Sequence, residues 1–340
     1  MRVAVDATPL GLTSGGLARY TSELVAALAA QFPEDEYRLV SEAGAANGLE
    51  RRWWLWGVRR EMERLGAEIF HGTNFAVPYL PSGPSVMSLH DLSPWMDRAW
   101  HHAADRVRRR TPLLIRLGIA TMIVTDSEAV RRQAIEYFRI HPDRIVAVPL
   151  AASALFRRSA ATGPTPTPYF LYVGALEPRK NLPLILEAWR PVRDRHGIEL
   201  VLAGRRRKDF PELPAEPGLR ILGELPDEAL PDLYSRALAF VYPSLYEGFG
   251  LPVLEAMQCG ACVITSNDPS VGEVIGAAGP RLDPRDVRAW TEAMLACAAG
   301  GEWLESRRAC SLARAAGFCW ERTARSTREV YLEAQRRFRG

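Results

Sequence analysis

The stretch "ALAFVYPSLYEGFGLPVLEAMQCG", residues 237–260, decides how the chain folds. Its first part, "ALAFVYPS" (237–244), is an apolar run of strand length with aromatic and β-branched residues, which predicts a buried strand. Its last part, "LPVLEAMQCG", predicts a helix: Pro252 suits the first turn and Gly260 the place just beyond the end. Between them lies "YEGFG", so a strand passes through a glycine turn directly into a helix start. Such a junction leaves backbone N–H groups without partners and aimed at one spot, and the helix dipole adds to their pull on an anion. Yet two carboxylates, Glu247 and Glu255, stand eight positions apart in the same place. A ligand that carries an anionic group beside hydroxyl donors would resolve the conflict.

Strand–helix alternation extends outward from this stretch in both directions. Strands are expected in "RVAVDAT", "YRLVS", "EIFHG", "SVMSLHD", "MIVTDS" and "RIVAVPL" of the first half. The second half offers "YFLYVGA", "IELVLAG", "LRILG", "LAFVYPS" and "ACVITSN". Between the halves, "SAATGPTPTP" (159–168) has little to bury and reads as an interdomain linker. The pattern predicts an α/β protein of two open parallel sheets covered by helices. The domains are expected at 1–160 and 168–318. A final helix at 320–337 has a destination its own pattern does not give. Ligands of such sheets bind at the carboxyl ends of strands, and a cleft between two domains is the default site.

Composition fits this picture. At 340 residues, 47% hydrophobic and 24% charged, the chain is an ordinary globular sequence. No run of 18 apolar residues predicts a membrane span, and the start lacks a secretory pattern, so a cytoplasmic protein is expected. The net charge of +3 is too small to argue for nucleic acid. Residues 1–160 carry 20 Lys+Arg against 17 Asp+Glu and residues 161–340 carry 23 against 23, so the excess sits in the first half. Lys180 and Lys208 are the only lysines, which makes a lysine in a motif informative. Cys259 and Cys262 form a C-x-x-C without a second pair at metal spacing, and read as small buried side chains.

Four loops at expected strand ends carry chemistry. "GLTSGGLARY" (11–20) enters a helix through Gly15 and Gly16, whose backbone could approach a phosphate; most such turns are only turns. It does not match G-x-G-x-x-G, which counts against a dinucleotide site. "SLHDLS" (88–93) places His90 and Asp91 at a strand end, where a lone histidine is more often structural. "GALEPRKN" (174–181) sets Arg179 and Lys180 between a strand and a helix. Adjacent basic residues usually face solvent, but the rare lysine here suits phosphate. The fourth loop is the opening stretch. Together they supply glycine backbone, cations and a helix start for a diphosphate, with two carboxylates left for hydroxyls. A diphosphate held between two polyols is a sugar nucleotide.

On these motifs the chain resembles, along nearly its whole length, the retaining glycosyltransferases of family 4, which have the GT-B fold of two Rossmann-like domains. The resemblance rests on E-x7-E at Glu247 and Glu255, with "YVGALEPRKN", "GELPDEAL" and "SNDPSVGEV" in the family's order. "SGGLARY" and "SLHDLS" bring it nearest the mannosyltransferase-like branch. The resemblance implies that Glu247 contacts the transferred sugar, Glu255 the ribose, and the backbone of Phe249, Gly250 and Leu251 the sugar and diphosphate. Lys180 would sit on the phosphates, Gly16 would close over them from the N-terminal domain, and His90 would lie near the reacting centre. The last helix would cross back to the first domain. Many relatives have an arginine where this chain has Ala175. Either Arg179 supplies the missing cation, or Lys180 acts with the helix end alone.

The expected reaction moves a hexosyl group, mannose first, from a nucleotide-diphosphate sugar such as GDP-mannose to a glycan or lipid-linked acceptor, with retention. No D-x-D motif is present, so neither a metal nor another cofactor is expected. The rivals are a sugar-nucleotide epimerase of the same fold and a non-catalytic sugar-nucleotide binding protein. One helix invites a further expectation. In "ERRWWLWGVRREMERLG" (50–66), helical spacing puts Trp54, Val58, Met62 and Leu65 on a core stripe. It puts Trp53, Trp56, Arg60 and Arg64 outside, where they could rest on a membrane surface. The plainer expectation is that Trp53 and Trp56 pack under a loop or line the acceptor site.

Overall fold

The computed structural model describes residues 1–12, 15–42, 52–102, 104–159 and 167–338. Most of the expected linker, residues 160–166, therefore lies outside the described residues, as do Thr13 and Ser14 of the glycine-rich turn and Glu50 and Arg51. The chain divides into two compact units: Met1–Ala151 with Cys319–Gly340, and Ala152–Phe318.

The first unit holds β1 (Arg2–Asp6), β2 (Glu36–Val40), β3 (Ile69–Gly72), β4 (Ser85–Ser88), β5 (Met122–Thr125) and β6 (Ile145–Ala147). They form one sheet in the order β2-β1-β3-β4-β5-β6, parallel at every pairing. β1, β3, β4 and β5 are buried nearly throughout, which explains why they read as continuous apolar runs rather than alternating ones. Order reverses between β1 and β3, a topological switch point of the sort where such sheets take ligands. The helix Trp320–Arg337 packs beside the helix Gly16–Gln31 in this unit. Its Tyr331 hydroxyl lies 2.7 Å from His71 Nδ1, and its Arg328 Nε donates to Asp35 at 2.7 Å.

The second unit holds β7 (Tyr169–Val173), β8 (Glu199–Ala203), β9 (Leu219–Gly223), β10 (Ala239–Tyr242), β11 (Val263–Ser266) and β12 (Arg281–Leu282). Its sheet runs β12-β11-β10-β7-β8-β9, again all parallel. Here the switch falls between β7 and β10, whose registers meet at Ala239 and Phe170. Trp189 and Trp290, fully buried, fill the layer where the helix Leu182–His196 packs on the helix Val287–Ala299.

The helix expected over 50–66 differs from its α-helical projection. Its start is a π-helical turn, Trp53–Gly57, and the α-helix runs only from Val58 to Leu65. The wider turn rotates Trp53 inward, where it is 5% exposed and its ring lies against Gly57. Trp53 is thus a core residue, contrary to its expected outward place. Trp56, at 42% exposure, keeps the outer face with Arg60 and Arg64. Among the described residues no helix is long and apolar enough to cross a membrane.

Candidate active site

The loops that follow β7 and β10 meet at the switch point of the second unit. After β7 the chain makes a short 3-10 turn, Pro178–Lys180, and enters the helix Leu182–His196 through Asn181. Asn181 has φ of 56°, a left-handed conformation that asparagine tolerates better than most residues. Its side-chain amide donates to the carbonyls of Pro243 and Pro284, at 3.3 and 2.7 Å, and so pins this loop to the end of β10. That anchoring faces Lys180 inward.

Lys180 is 7% exposed and Glu247 6% exposed. Lys180 Nζ donates to Glu247 Oε1 at 2.5 Å and to the Tyr242 hydroxyl at 2.8 Å. Arg179 Nη1 reaches the other oxygen, Oε2, at 3.1 Å and the Tyr246 carbonyl at 2.8 Å. Its Nη2 donates to Glu177 at 3.0 Å. Burial by itself would push the Glu247 carboxyl up, but Lys180 and then Arg179 hold it down at about 2. Lys180 is lowered from its usual value, by burial first and by Arg179 beside it, while Glu247 opposes the change. A buried carboxylate between two cations is costly to expose or to leave unpaired. The sequence pattern named Arg179, Lys180 and Glu247, and the structure brings all three within direct contact.

The helix start beside this cluster is open. Gly250, with φ of 105°, precedes the helix Leu251–Gln258, and no side chain caps it. Only glycine adopts that conformation readily, and a Cβ there would crowd Val271. Val253 and Leu254 N–H both bond the Gly250 carbonyl, whereas the N–H groups of Phe249, Gly250 and Leu251 have no partner among the described residues. Three successive unpartnered amides around a left-handed glycine make an anion-binding nest. Phe249 is buried, its ring edge-on to Phe318 at 6.0 Å, so its backbone is held in place by its side chain.

Asp268, outside the residues the pattern singled out, holds the Glu247 end of this loop. Its carboxylate caps the helix Pro269–Ile275 through Ser270 and Val271 N–H and accepts the Glu247 N–H at 3.2 Å. Burial pushes it up to about 6 against the amides that favour its charge. The motif "SNDPSVGEV" contained it, but only the fold reveals that it meets Glu247. Glu255 sits apart from this cluster, 2% exposed on its helix, where it accepts from the Tyr234 hydroxyl at 3.1 Å. Ala175 is exposed, and its carbonyl accepts from Tyr172. Cys259 and Cys262 are both buried, and Cys262 faces Cys297 with sulfurs 3.9 Å apart rather than its C-x-x-C partner. Among the described residues no group of three or more His, Cys, Asp or Glu is placed to hold a metal.

His90, Gly15 and Gly16 belong to the first unit. Gly15, φ 91°, leads into the helix Gly16–Gln31, which has no side-chain cap. His90 follows β4. Its Nδ1 is 2.8 Å from the Asp126 carboxylate and its Nε2 is 2.8 Å from the Thr73 carbonyl. Both neighbours can accept, a setting that favours the doubly protonated ring. Burial opposes that charge, yet Asp126 outweighs it and raises His90 above its usual value. Tyr20 and Phe75 pack edge-on to the ring. Asp126 was not legible as a partner: it stands 36 residues away, at the end of the next strand.

Residues 157–311 match the family model described as glycosyl transferases group 1. The O-antigen chain mannosyltransferase B of Escherichia coli is 38% identical over 77% of this chain and 74% of its own length. The serotype-specific mannosyltransferase WbdA of Escherichia coli is 30% identical over 71% of this chain, which spans only 32% of that longer protein. Among solved structures, sucrose-phosphate synthase from Thermosynechococcus elongatus superposes with a TM-score of 0.81 at 18% identity, over 98% of each chain. That likeness extends to two Rossmann-like domains of the GT-B kind.

Proposed function

Because the chain belongs to the group 1 glycosyltransferases, we propose that it transfers mannose from a nucleotide-diphosphate mannose, GDP-mannose favoured, to a hydroxyl of a growing glycan. The relatives named above, two of them mannosyltransferases, favour transfer over epimerisation or silent binding. The observation that carries the reading is the nest at Phe249–Leu251 set against Lys180 and Arg179.

The leaving diphosphate gains charge as the glycosidic bond breaks. Fixed amides and a buried cation aimed at that charge are usually the largest source of rate enhancement. In the free chain Glu247 neutralises Lys180 and Arg179. Donor binding would hand those cations to the diphosphate and free Glu247 oxygens for the hydroxyls of the sugar. Asp268 keeps Glu247 in register while this exchange occurs. Glu255 would take ribose hydroxyls, with Tyr234 orienting its carboxylate. His90, with both ring nitrogens engaged by Asp126 and Thr73, is placed as a fixed hydrogen-bonding group rather than as a base. We assign backbone contacts with the donor to Gly15 and Gly16, retention of configuration to the reaction, and no metal requirement. No side chain stands out as a nucleophile for a double displacement. A cytoplasmic protein with peripheral contact to the inner membrane surface, through Trp56, Arg60 and Arg64, completes the proposal.

Thermal denaturation with a panel of donors tests it. A donor at 100 times its Kd stabilises by about 2.7 kcal/mol. GDP-mannose should raise the midpoint more than UDP-glucose or free mannose, and GDP should be released when a mannosyl acceptor is added. Absence of stabilisation by every nucleotide-diphosphate sugar would overturn the reading.

A further inference from the structure

A line of buried hydrogen bonds runs through the first unit and ends beside His90. The Tyr331 hydroxyl is 2.7 Å from His71 Nδ1, and His71 Nε2 is 2.9 Å from Ser88 Oγ. Ser88 Oγ in turn is 2.8 Å from the Tyr20 hydroxyl. The four side chains come from four elements: the helix Trp320–Arg337, β3, β4 and the helix Gly16–Gln31. None is more than 4% exposed, so these groups satisfy one another rather than bulk water. Tyr20 is where the line reaches the site. Its ring stands edge-on to the His90 ring with centroids 4.8 Å apart. It is also the first buried residue of the helix that Gly15 and Gly16 open.

The supply of hydrogens limits how the line can run. Burial, and then the charge of nearby His90, push the His71 pKa down to about 3, so its ring is neutral and carries one N–H. One imidazole and three hydroxyls therefore bring four hydrogens to three bonds, and the tautomer of His71 decides which is spare. With Nδ1 protonated, Ser88 must donate to His71 and Tyr20 to Ser88, and the spare hydrogen lies on Tyr331. With Nε2 protonated, Tyr331 donates to His71 and His71 to Ser88. Ser88 can then donate to Tyr20, which keeps its own hydrogen for the site side.

The surroundings favour the second arrangement. Asp126, the carboxylate that holds His90, acts on the Tyr20 phenol, raising its pKa after burial has done so. A hydroxyl dipole turned toward that charge is favoured. The groups acting on the Tyr331 hydroxyl are only the phenols of Tyr20 and Tyr37. Bonds in such a series polarise one another, so the far end is felt at the near one. We infer that Tyr331, His71 and Ser88 are positioning residues: they orient Tyr20, and through it hold the His90–Asp126 pair and the start of the glycine-turn helix. This inference deepens the glycosyltransfer reading and rests on it for its kinetic arm alone.

NMR of the full chain labelled with ¹⁵N-histidine reads the line without any donor. At pH 7 His71 should show the neutral ring protonated on Nε2. Tyr331→Phe, which removes one oxygen, should shift the His90 ring signals although Tyr331 does not touch His90. In transfer assays the same variant should lower kcat at least fivefold and leave the KM for GDP-mannose within twofold. Tyr20→Phe should do likewise, and supplies the same readings if Tyr331→Phe does not fold. The double variant should be no more than twofold slower than the slower single one, since both cut one line. His71 protonated on Nδ1, His90 signals unchanged in the folded variants, or kcat losses that multiply would overturn the inference and leave the function standing. Shifted His90 signals in a protein that transfers no sugar would support the line and remove the glycosyltransfer reading.

Discussion

The two switch points hold their polar groups by opposite means. At β7 and β10 the charged groups satisfy one another: Lys180 and Arg179 close on Glu247, and a ligand must displace a bond to enter. Beside β1 and β3 the buried groups are neutral: Tyr331, His71, Ser88 and Tyr20 share hydrogens along one line, and none of those bonds has to break. The difference suits exchange with a highly charged ligand at one and a fixed support at the other. Two cations left bare in a buried site would be expensive, whereas neutral hydroxyls and an imidazole are settled once each has a partner.

The largest test of this contrast is Lys180→Ala. Turnover should fall at least 100-fold, about 2.7 kcal/mol, with the fold retained because Arg179 still pairs Glu247. Steady-state GDP release and a thermal melt check it. Near-normal turnover would move the phosphate role to Arg179 and break the picture of a lysine-centred knot.

Separating the two glutamates sharpens it. Glu247→Ala should depress kcat by one to two orders of magnitude, since that carboxylate touches the reacting sugar. Glu255→Ala should mainly raise the donor KM, about tenfold. A pure KM effect in both would show that the knot is a binding device only.

The two regions should also weaken at opposite ends of the pH scale. Glu247 falls from an ordinary 4.5 to about 2 in the fold, so its contribution is complete above about pH 4.5 and is lost as pH drops toward 2. His90 is raised above 6.5, so its contribution is complete below that value and is lost as pH climbs through the raised one. Melting midpoints across pH check both. The gap between wild type and Glu247→Gln should narrow in acid, and the gap between wild type and His90→Gln should narrow in alkali. Parallel curves would mean that neither pairing sets stability.

Smaller effects test the surface. Trp56→Ala should change stability by no more than about 0.5 kcal/mol, because the side chain lies at the surface, 42% exposed. If the membrane contact holds, this variant should weaken salt-sensitive flotation with anionic vesicles. Unchanged flotation, or none in wild type, would end that proposal. Smallest of all, EDTA should leave transfer unaltered. A chelated, inactive enzyme restored by magnesium or manganese would mean that the cation-plus-amide site does not act alone.

What was legible in the sequence follows the same division. Most of the eleven expected strands announced themselves because buried parallel strands are continuous apolar runs, although β2 and β9 are largely exposed; β12, with two residues, is too short to leave a pattern. The donor loop was readable because Glu247, the glycines and the helix start are contiguous. Asp126 and Asp268 were not singled out, since a carboxylate's role depends on which distant group it meets. Trp53 was misplaced because helical projection assumes 3.6 residues per turn, and the helix begins with a π turn. The line of hydrogen bonds behind His90 could not be foreseen: Tyr20, His71, Ser88 and Tyr331 come from four separate elements.

The helix Trp320–Arg337 has a consequence for how the protein is made. It belongs to the first unit, where Tyr331 meets His71 and Arg328 meets Asp35. During synthesis the second unit, continuous from Ala152 to Phe318, can complete its contacts as it leaves the ribosome. The first unit emerges earlier but must wait for residues some 260 positions downstream before His71 gains its tyrosine. The half made first is the half finished last, and a nascent chain stalled before residue 319 would present a folded C-terminal half joined to an N-terminal half still dependent on chaperones.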